Sequence, residues 1–237
     1  MTTSLRQVQR ELRALANSAD AVFLQRFFKT GVGQYGEGDR FLGVRVPQLR
    51  SLARQRRELT HEQVLDLLRS PWHEQRLLAL LILVEHYRRG TDAEREAIYQ
   101  AYLAHTEYIN NWDLVDSSAE HIVGPHIDPH NPGVLLELAQ SESLWERRIA
   151  MLATFHWIKH GEFRPALRIA RLLLHDSHDL IHKAVGWMLR EVGKRDRDVE
   201  ETFLREHYRQ MPRTMLRYSI ERFPEARRQQ YLRGRVA

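Results

Sequence analysis

The residues best suited to chemistry lie in one short polar stretch, NNWDLVDSSA, which begins at Asn110. Asn, Asp and Ser are favoured where a helix begins, because they satisfy free backbone N–H groups and oppose the helix dipole. We assign that ordinary role to Asn110, Asn111 and Asp113. Asp116 lies about one turn further along, where the dipole benefit fades, and Trp112 precedes it on the same helix face. A carboxylate beside an indole suits a cationic substrate or a transition state that develops positive charge.

An internal repeat places other residues in register with this pair. Three segments share one amphipathic pattern: WHEQRLLALLIL from Trp72, LWERRIAMLATF from Leu144 and LIHKAVGWMLRE from Leu180. Their alignment sets three cations at one position, separated by 72 and 35 residues: Arg76, Arg148 and Lys183. The longer gap fits two units, and its midpoint is Trp112. The position one helical turn later holds Asp116 and Trp187.

The elements that must position these residues are helices. Strand patterns are scarce, while apolar residues recur every three or four positions through most of the chain. A repeat of about 35 residues with two helices per unit is typical of HEAT-like solenoids. We therefore predict an all-α, right-handed superhelical solenoid with a concave basic face, built as a single domain over residues 1–237.

The first helices of the repeats are expected near residues 61–69, 92–104, 132–140, 163–174 and 198–208. Capping helices near residues 4–16 and 20–29 would lie within an N-terminal cap of residues 1–57, followed by repeats over about 60–223. Three Gly- or Pro-rich stretches are expected to be loops: TGVGQYGEGDRF, HIVGPHIDPHNPG and KHGEF.

The composition limits the possible functions. The 237 residues carry 36 Lys and Arg against 31 Asp and Glu, a net charge of +5, and a basic balance rich in Arg suits a polyanion such as DNA. The absence of Cys excludes disulfides, thiolate metal sites and Cys nucleophiles. The longest aliphatic run, Leu77 to Val84, is too short to cross a bilayer, so we expect a cytoplasmic protein with no membrane partner.

Two other kinds of site are not favoured by the residue spacing. His121, His126 and His130 lack the paired spacing and nearby carboxylate of a zinc protease, so we interpret them as exposed loop histidines and expect no metal. Ser117 and Ser118 lack the Gly-x-Ser-x-Gly elbow of a serine hydrolase. No cofactor is expected.

In a solenoid, equivalent positions of successive repeats form a stripe along one surface. We therefore predict that four residues converge: Trp112, Asp116, Arg148 and Trp187. Cations along or near the stripe would hold phosphates: Arg76, Arg148, Lys183, Arg190 and Arg217. Indoles suit sugar C–H groups, and the carboxylate suits an oxocarbenium-like transition state. Cleavage of an N-glycosidic bond in DNA meets both demands.

Three of these motifs, in this order and spacing, resemble the AlkD-type DNA alkylation repair glycosylases, a family of HEAT-like repeat proteins: NNWDLVDSSA, LWERRIAML and IHKAVGWMLRE. The segment FLGVRVPQLR, from Phe41 to Arg50, also resembles the entry segment of that family. The resemblance covers about residues 20 to 220. The glycine-rich stretch KTGVGQYGEGDRF, which begins at Lys29, does not align with the family residue by residue.

The resemblance implies a monofunctional DNA glycosylase of base excision repair, which removes positively charged N3- or N7-alkylated purines from duplex DNA without flipping the base. It implies Asp116 as the catalytic carboxylate, Trp112 and Trp187 as indoles that contact the deoxyribose, and Arg148 near a backbone phosphate. A metal and a lysine Schiff base are not part of the family chemistry, and a monomer suffices. The preference for N3 or N7 adducts and the acceptance of bulky adducts stay open.

Two other functions remain alternatives from the sequence. A non-catalytic HEAT-like protein that recognises DNA shape or damage would bind DNA without releasing a base. A protein scaffold is the third possibility, since many HEAT-like arrays bind other proteins.

Overall fold

The computed structural model describes residues 4–236, and the ends of the predicted domain at residues 1–3 and 237 lie outside this range. Within it the regular structure is helical, and one isolated bridge joins Arg40 to Trp72. The first helices are α1 (Leu5–Ala14), α2 (Ser18–Phe27), α3 (Val46–Gln55), α4 (His61–Leu68), α5 (His73–Arg89), α6 (Asp92–Leu103) and α7 (Trp112–Asp116). The all-α prediction is confirmed.

The remaining helices follow directly after α7. They are α8 (Ala119–His126), α9 (Gly133–Ala139), α10 (Leu144–Ala153), α11 (Phe155–Lys159), α12 (Arg164–Leu172), α13 (Asp179–Gly193), α14 (Arg197–His207), α15 (Arg213–Ser219) and α16 (Glu225–Leu232). Short 3-10 helices cover Thr106–Tyr108 and Ile220–Arg222. Among residues 4–236, no helix is long and apolar enough to span a membrane.

The chain forms two compact units, one up to Ser118 and one from Ala119. In the first unit α5 packs against α3, α4, α6 and α7. Its stretch from Leu77 to Val84 is buried on all sides, as expected for a helix that is apolar around its whole circumference. In the second unit α10 packs against α8, α9 and α13, and α13 packs against α14 and α15. The single-domain assignment stays a prediction.

The five first helices of the predicted repeats begin and end close to where the sequence places them, as α4, α6, α9, α12 and α14. Polar side chains set several of these starts. Thr60, Thr91 and Asp196 each accept a hydrogen bond from a backbone N–H in the first turn of the helix that follows. Local capping therefore defines where these helices begin.

Two glycines let helices of the second unit approach closely. A Cβ at Gly124 of α8 would lie 2.4 Å from the carbonyl oxygen of Ala153, and a Cβ at Gly186 of α13 would lie 2.4 Å from that of Met215. The added Cβ at Gly124 would also meet the Cβ of His156, and the one at Gly186 would meet the Cβ of Tyr218. In both cases this residue lies three positions after the one that supplies the carbonyl oxygen. The two contacts are of the same kind, which shows the internal repeat in the packing.

This close packing corrects the prediction of a loop over HIVGPHIDPHNPG. The first part of that stretch is the end of α8, and His121 and His126 are half-buried on this helix, while His130 is exposed in the loop that follows. Gly124 and Pro125 mark a loop by local rules. Helix α8 forms here because its apolar residues are buried and its glycine allows close contact with the end of α10 and with α11.

A buried glutamate gives the second unit a pH-dependent stability. Burial is the main cause that raises the pKa of Glu200 to about 8, and its Oε1 has no hydrogen-bond partner. The unfolded chain releases this proton near the ordinary Glu value of 4.5. The folded state therefore binds one more proton between about pH 4.5 and pH 8, and stability falls as the pH rises through this window.

Glu200→Gln removes the free-energy cost of ionising a buried carboxyl group, because an amide of the same shape does not ionise. We expect the variant to exceed the unmodified protein by about 2 kcal/mol or more in unfolding free energy at pH 8.5. Urea denaturation at pH 4.5 and pH 8.5 measures the difference. An equal gain at both pH values would contradict a protonation effect.

Candidate active site and its supporting network

Helix α7 is a single turn that carries both candidate residues of the first unit. The side chain of Asn111, its N-cap, accepts a hydrogen bond from the N–H of Trp112, so Asn111 has the predicted helix-start role. Asp116 is the last residue of the helix and is half-buried. After it, Ser118 closes the turn by donating to the carbonyl oxygen of Leu114 at 2.6 Å.

Asp116 lies within electrostatic reach of a buried phenol. Burial raises the pKa of Tyr102 well above its ordinary value, and the negative charge of Asp116 raises it further. The hydroxyl of Tyr102 lies 2.9 Å from Oγ of Ser118. Since the Ser118 proton points to Leu114, the phenol is the donor of this bond. Ser118 thus has a structural partner on each side.

Trp112 is held by two phenylalanines from the end of α2. Its indole stacks on Phe28 at 5.1 Å between ring centroids, with 24° between the planes, and meets the edge of Phe27 at 5.9 Å. Phe27 is about half exposed and Phe28 is buried. The indole is itself half-buried, so one part is fixed by packing and another remains open to a ligand.

Behind this aromatic stack lies a buried charge network. His73, 2% exposed, donates from Nδ1 to Asp39 at 2.7 Å and from Nε2 to Asp113 at 2.8 Å. Burial opposes protonation of His73, yet the two carboxylates raise its pKa to about 9. Asp113 keeps the predicted place in the first turn of α7, where its Oδ1 accepts from the Leu114 N–H, and it also links this helix to α5.

Arg76 belongs to the same network and has a different place from the one expected. It is buried, and its guanidinium donates to Asp39 at 2.8 Å, to the Ser70 carbonyl at 3.1 Å and to Asn110 at 3.3 Å. These contacts give the buried guanidinium of Arg76 a structural role within the protein, and its phosphate contact stays a prediction.

Trp187 lies in the second unit, on the face of α13 that meets α11. Its ring contacts the edge of Phe155 at 5.9 Å, and its Nε1 donates to Glu191 at 3.2 Å. Two cations flank the Phe155 ring: Nζ of Lys159 at 4.4 Å and Cζ of Arg195 at 5.9 Å. Burial opposes ionisation of Glu191, but hydrogen bonds from Lys194, Arg195 and Trp187 hold its pKa below the ordinary value.

The side chains of the second unit that were predicted to contact phosphates differ in their exposure to solvent. Arg148 is buried and donates to the Leu180 carbonyl at 2.7 Å, which ties α10 to the start of α13. Lys183 pairs with Asp179 at 2.7 Å and keeps 39% of its side chain exposed. Arg190 pairs with Glu221, and Arg217 is exposed on α15. The first unit carries Trp112 and Asp116, so their convergence with Arg148 and Trp187 stays a prediction.

Sequence reasoning missed the residues that support both indoles. Each indole contacts a phenylalanine, and the paired FF at residues 27–28 is the only local signal for the first of these contacts. No local sequence pattern indicates the pairing of Asp39 with His73, because the two residues are far apart in the sequence. Over the described part of the chain, no group of three His, Cys, Asp or Glu residues could hold a metal ion.

Comparison with known proteins identifies the family. The family model described as DNA alkylation repair enzyme matches residues 8–223. The chain belongs to this family. The DNA alkylation repair enzyme family, by its name, groups enzymes of DNA repair, whose partner is DNA. None of the curated proteins matches the chain significantly.

Solved structures support the fold of the DNA alkylation repair family. A predicted DNA alkylation repair enzyme from Enterococcus faecalis is similar, with a TM-score of 0.70 and 18% identity, over 89% of this chain and 97% of that one. The protein smu.31 from Streptococcus mutans UA159 is similar with a TM-score of 0.54 and 16% identity, over 91% and 96% of the two chains. At these identities the likeness concerns the fold.

Proposed function

We propose that this member of the DNA alkylation repair family is an AlkD-type DNA glycosylase. It excises positively charged N3- or N7-alkylated purines from duplex DNA by hydrolysis, as a monomer and with the damaged nucleotide left stacked. The observation that carries the proposal is the pair on α7, where Asp116 follows the half-buried Trp112 by one helical turn.

The chemistry follows from the charge of the lesion. An alkylated purine leaves as a neutral base, so the leaving group needs no general acid, and positive charge develops on the sugar. Ionised Asp116 stabilises this sugar cation and orients the attacking water. The indole of Trp112 attracts the same charge through its ring face, with about 0.5–2 kcal/mol for such a contact.

The second unit supplies the other proposed contacts. The repeat register assigns the second indole to Trp187, which Phe155 and Glu191 orient. Lys183, Arg190 and Arg217 keep surface for phosphate contacts, while Arg148 positions the start of α13 through its bond to Leu180. Phosphate contacts fix the register of a protein on DNA and carry no sequence information, which suits an enzyme that searches for damage.

The test compares a cationic with a neutral lesion. We expect the protein to release N7-methylguanine from alkylated duplex DNA at a rate at least about 100-fold above spontaneous loss, which corresponds to transition-state stabilisation by one fixed carboxylate. Release of a neutral base, such as uracil or hypoxanthine, should stay at background, because its departure needs a proton donor that Asp116 does not supply. Quantification of free base by chromatography measures both rates.

Two outcomes would contradict the proposal. Salt-sensitive duplex binding without release of either base would favour a non-catalytic DNA-binding protein. Equal release of cationic and neutral bases would show general-acid chemistry and would remove the proposed role of Asp116.

A further inference from the structure

The network around His73 has a feature that simple packing does not require. Both ring nitrogens point to carboxylate oxygens, Asp39 at 2.7 Å and Asp113 at 2.8 Å. A neutral imidazole has one N–H and would leave one short contact without a proton, so the geometry requires the imidazolium. With Arg76 on the second oxygen of Asp39, two cations face two carboxylates and the buried charges cancel.

The network contacts Trp112 by two routes. Through the chain, Asp113 is its direct neighbour. Through the rings, the centroid of the His73 ring lies 4.4 Å from that of Phe41 and 5.0 Å from that of Phe28. The Phe28 ring in turn stacks on the indole of Trp112, with 5.1 Å between centroids. A displacement of the imidazole therefore acts on both the backbone and the ring face of Trp112.

The glycine-rich segment of residues 29–41 brings Asp39 to this point. A Cβ at Gly36 would lie 2.4 Å from the carbonyl oxygen of Phe28, so only glycine allows this approach. Asp39 then follows with its N–H bonded to the Gly36 carbonyl, and its carboxylate accepts from Nδ2 of Asn111 at 3.3 Å. Since Asn111 is the N-cap of α7, the segment contacts both the start of this helix and the aromatic stack.

We propose that His73 is a positioning residue, which, bridged between Asp39 and Asp113, holds the indole of Trp112 in place for the sugar of the damaged nucleotide. The inference rests on the proposed glycosylase function. The glycine-rich segment is then part of the active-site support, because it supplies Asp39, whose carboxylate accepts the hydrogen bond from Nδ1 of His73.

The bridge depends on the charge of His73. The charged groups that face it are Asp39 from the segment, Asp113 from α7 and, through Asp39, Arg76 from α5. The neighbouring Glu74 is occupied by the N–H groups of Leu42, Gly43 and Val44. Burial opposes the charge, but the carboxylates raise the pKa of His73 to about 9. The folded protein keeps this proton, and with it the bridge, until the pH rises through about 9, and the stabilisation that the charge gives is complete below the ordinary His value of 6.5.

The test uses His73→Gln and measures the position of Trp112 without DNA. Acrylamide quenching of each protein, minus that of the same protein carrying Trp112→Phe, isolates this indole from the other four tryptophans. We expect the quenching constant of Trp112 to rise about twofold or more in His73→Gln at pH 7.5, and in the unmodified protein at pH 10, since a loosened indole meets solvent more often. Asp39→Asn should act in the same direction and serves if His73→Gln does not fold.

Asp176→Asn is the matched control for Asp39→Asn. The side chain of Asp176 is as buried as that of Asp39, and it pairs with Arg147 in the second unit. It should lower stability without changing the quenching of Trp112. Unchanged quenching in folded His73→Gln and in folded Asp39→Asn would overturn the inference.

Activity gives an independent readout. In His73→Gln we expect kcat for N7-methylguanine release to fall about tenfold or more with little change in KM, since misplaced groups affect the transition state. The unmodified protein should lose activity as the pH rises through about 9, because His73 then loses its proton, and this pH-dependent loss should be absent from His73→Gln. Absence of release by the unmodified protein would refute the proposed function, while the quenching result would still decide whether His73 positions Trp112.

Discussion

Asp116→Asn is expected to reduce base release from N7-methylguanine duplex DNA by at least about 100-fold. The amide keeps the shape of the side chain and removes the negative charge that stabilises the sugar cation. Affinity for duplex DNA should stay the same or increase slightly, because one charge that repels phosphate is lost. Single-turnover release and salt-dependent binding measure the two effects separately.

Glu85→Gln provides the control for this change. Glu85 is a carboxylate of the first unit with 23% of its side chain exposed, and it pairs with Arg88 and Arg89 on its own helix. Its neutralisation removes the same charge from the protein and should leave base release unchanged. A release rate for Asp116→Asn within about twofold of the unmodified protein would exclude Asp116 as the catalytic carboxylate, because a 2-fold change is far below the loss of a transition-state contact.

The largest stability loss is expected for Gly43→Ala, at about 3 kcal/mol or more. Gly43 has a φ of +83°, in the left-handed region. Its Cβ would lie 2.0 Å from the Asn17 carbonyl oxygen and 2.7 Å from the Ala21 nitrogen, both backbone atoms of the start of α2. The helix that carries Phe27 and Phe28 would have to move. Urea denaturation measures the loss.

Gly38→Ala separates the two causes of this loss. Gly38 has a similar φ of +78°, but a Cβ there would meet no atom within 4 Å. Its substitution costs only the backbone strain, about 1 kcal/mol. Equal losses for the two variants would mean that the close approach to α2 adds nothing.

Much of the secondary structure follows from local sequence. The repeat register predicted α4, α6, α9, α12 and α14 because apolar spacing and capping residues act within one or two turns. The helix-start role of Asn111 and the first-turn position of Asp113 follow for the same reason. Helix α8 was missed because its glycine and proline indicate a loop by local rules, while its burial in the second unit stabilises it as a helix.

In the candidate site, too, some features follow from the sequence and others only from the tertiary structure. The motif around Trp112 and Asp116, and the match to the DNA alkylation repair family, can be read from the amino-acid sequence alone. Only the tertiary structure showed that Arg76 turns inward to Asp39, that His73 bridges two carboxylates and that Phe28 carries the indole. Periodicity encodes the face of a helix on which a residue lies. It does not encode which distant side chain meets that face, because such pairs form by long-range packing and mutual desolvation of charges.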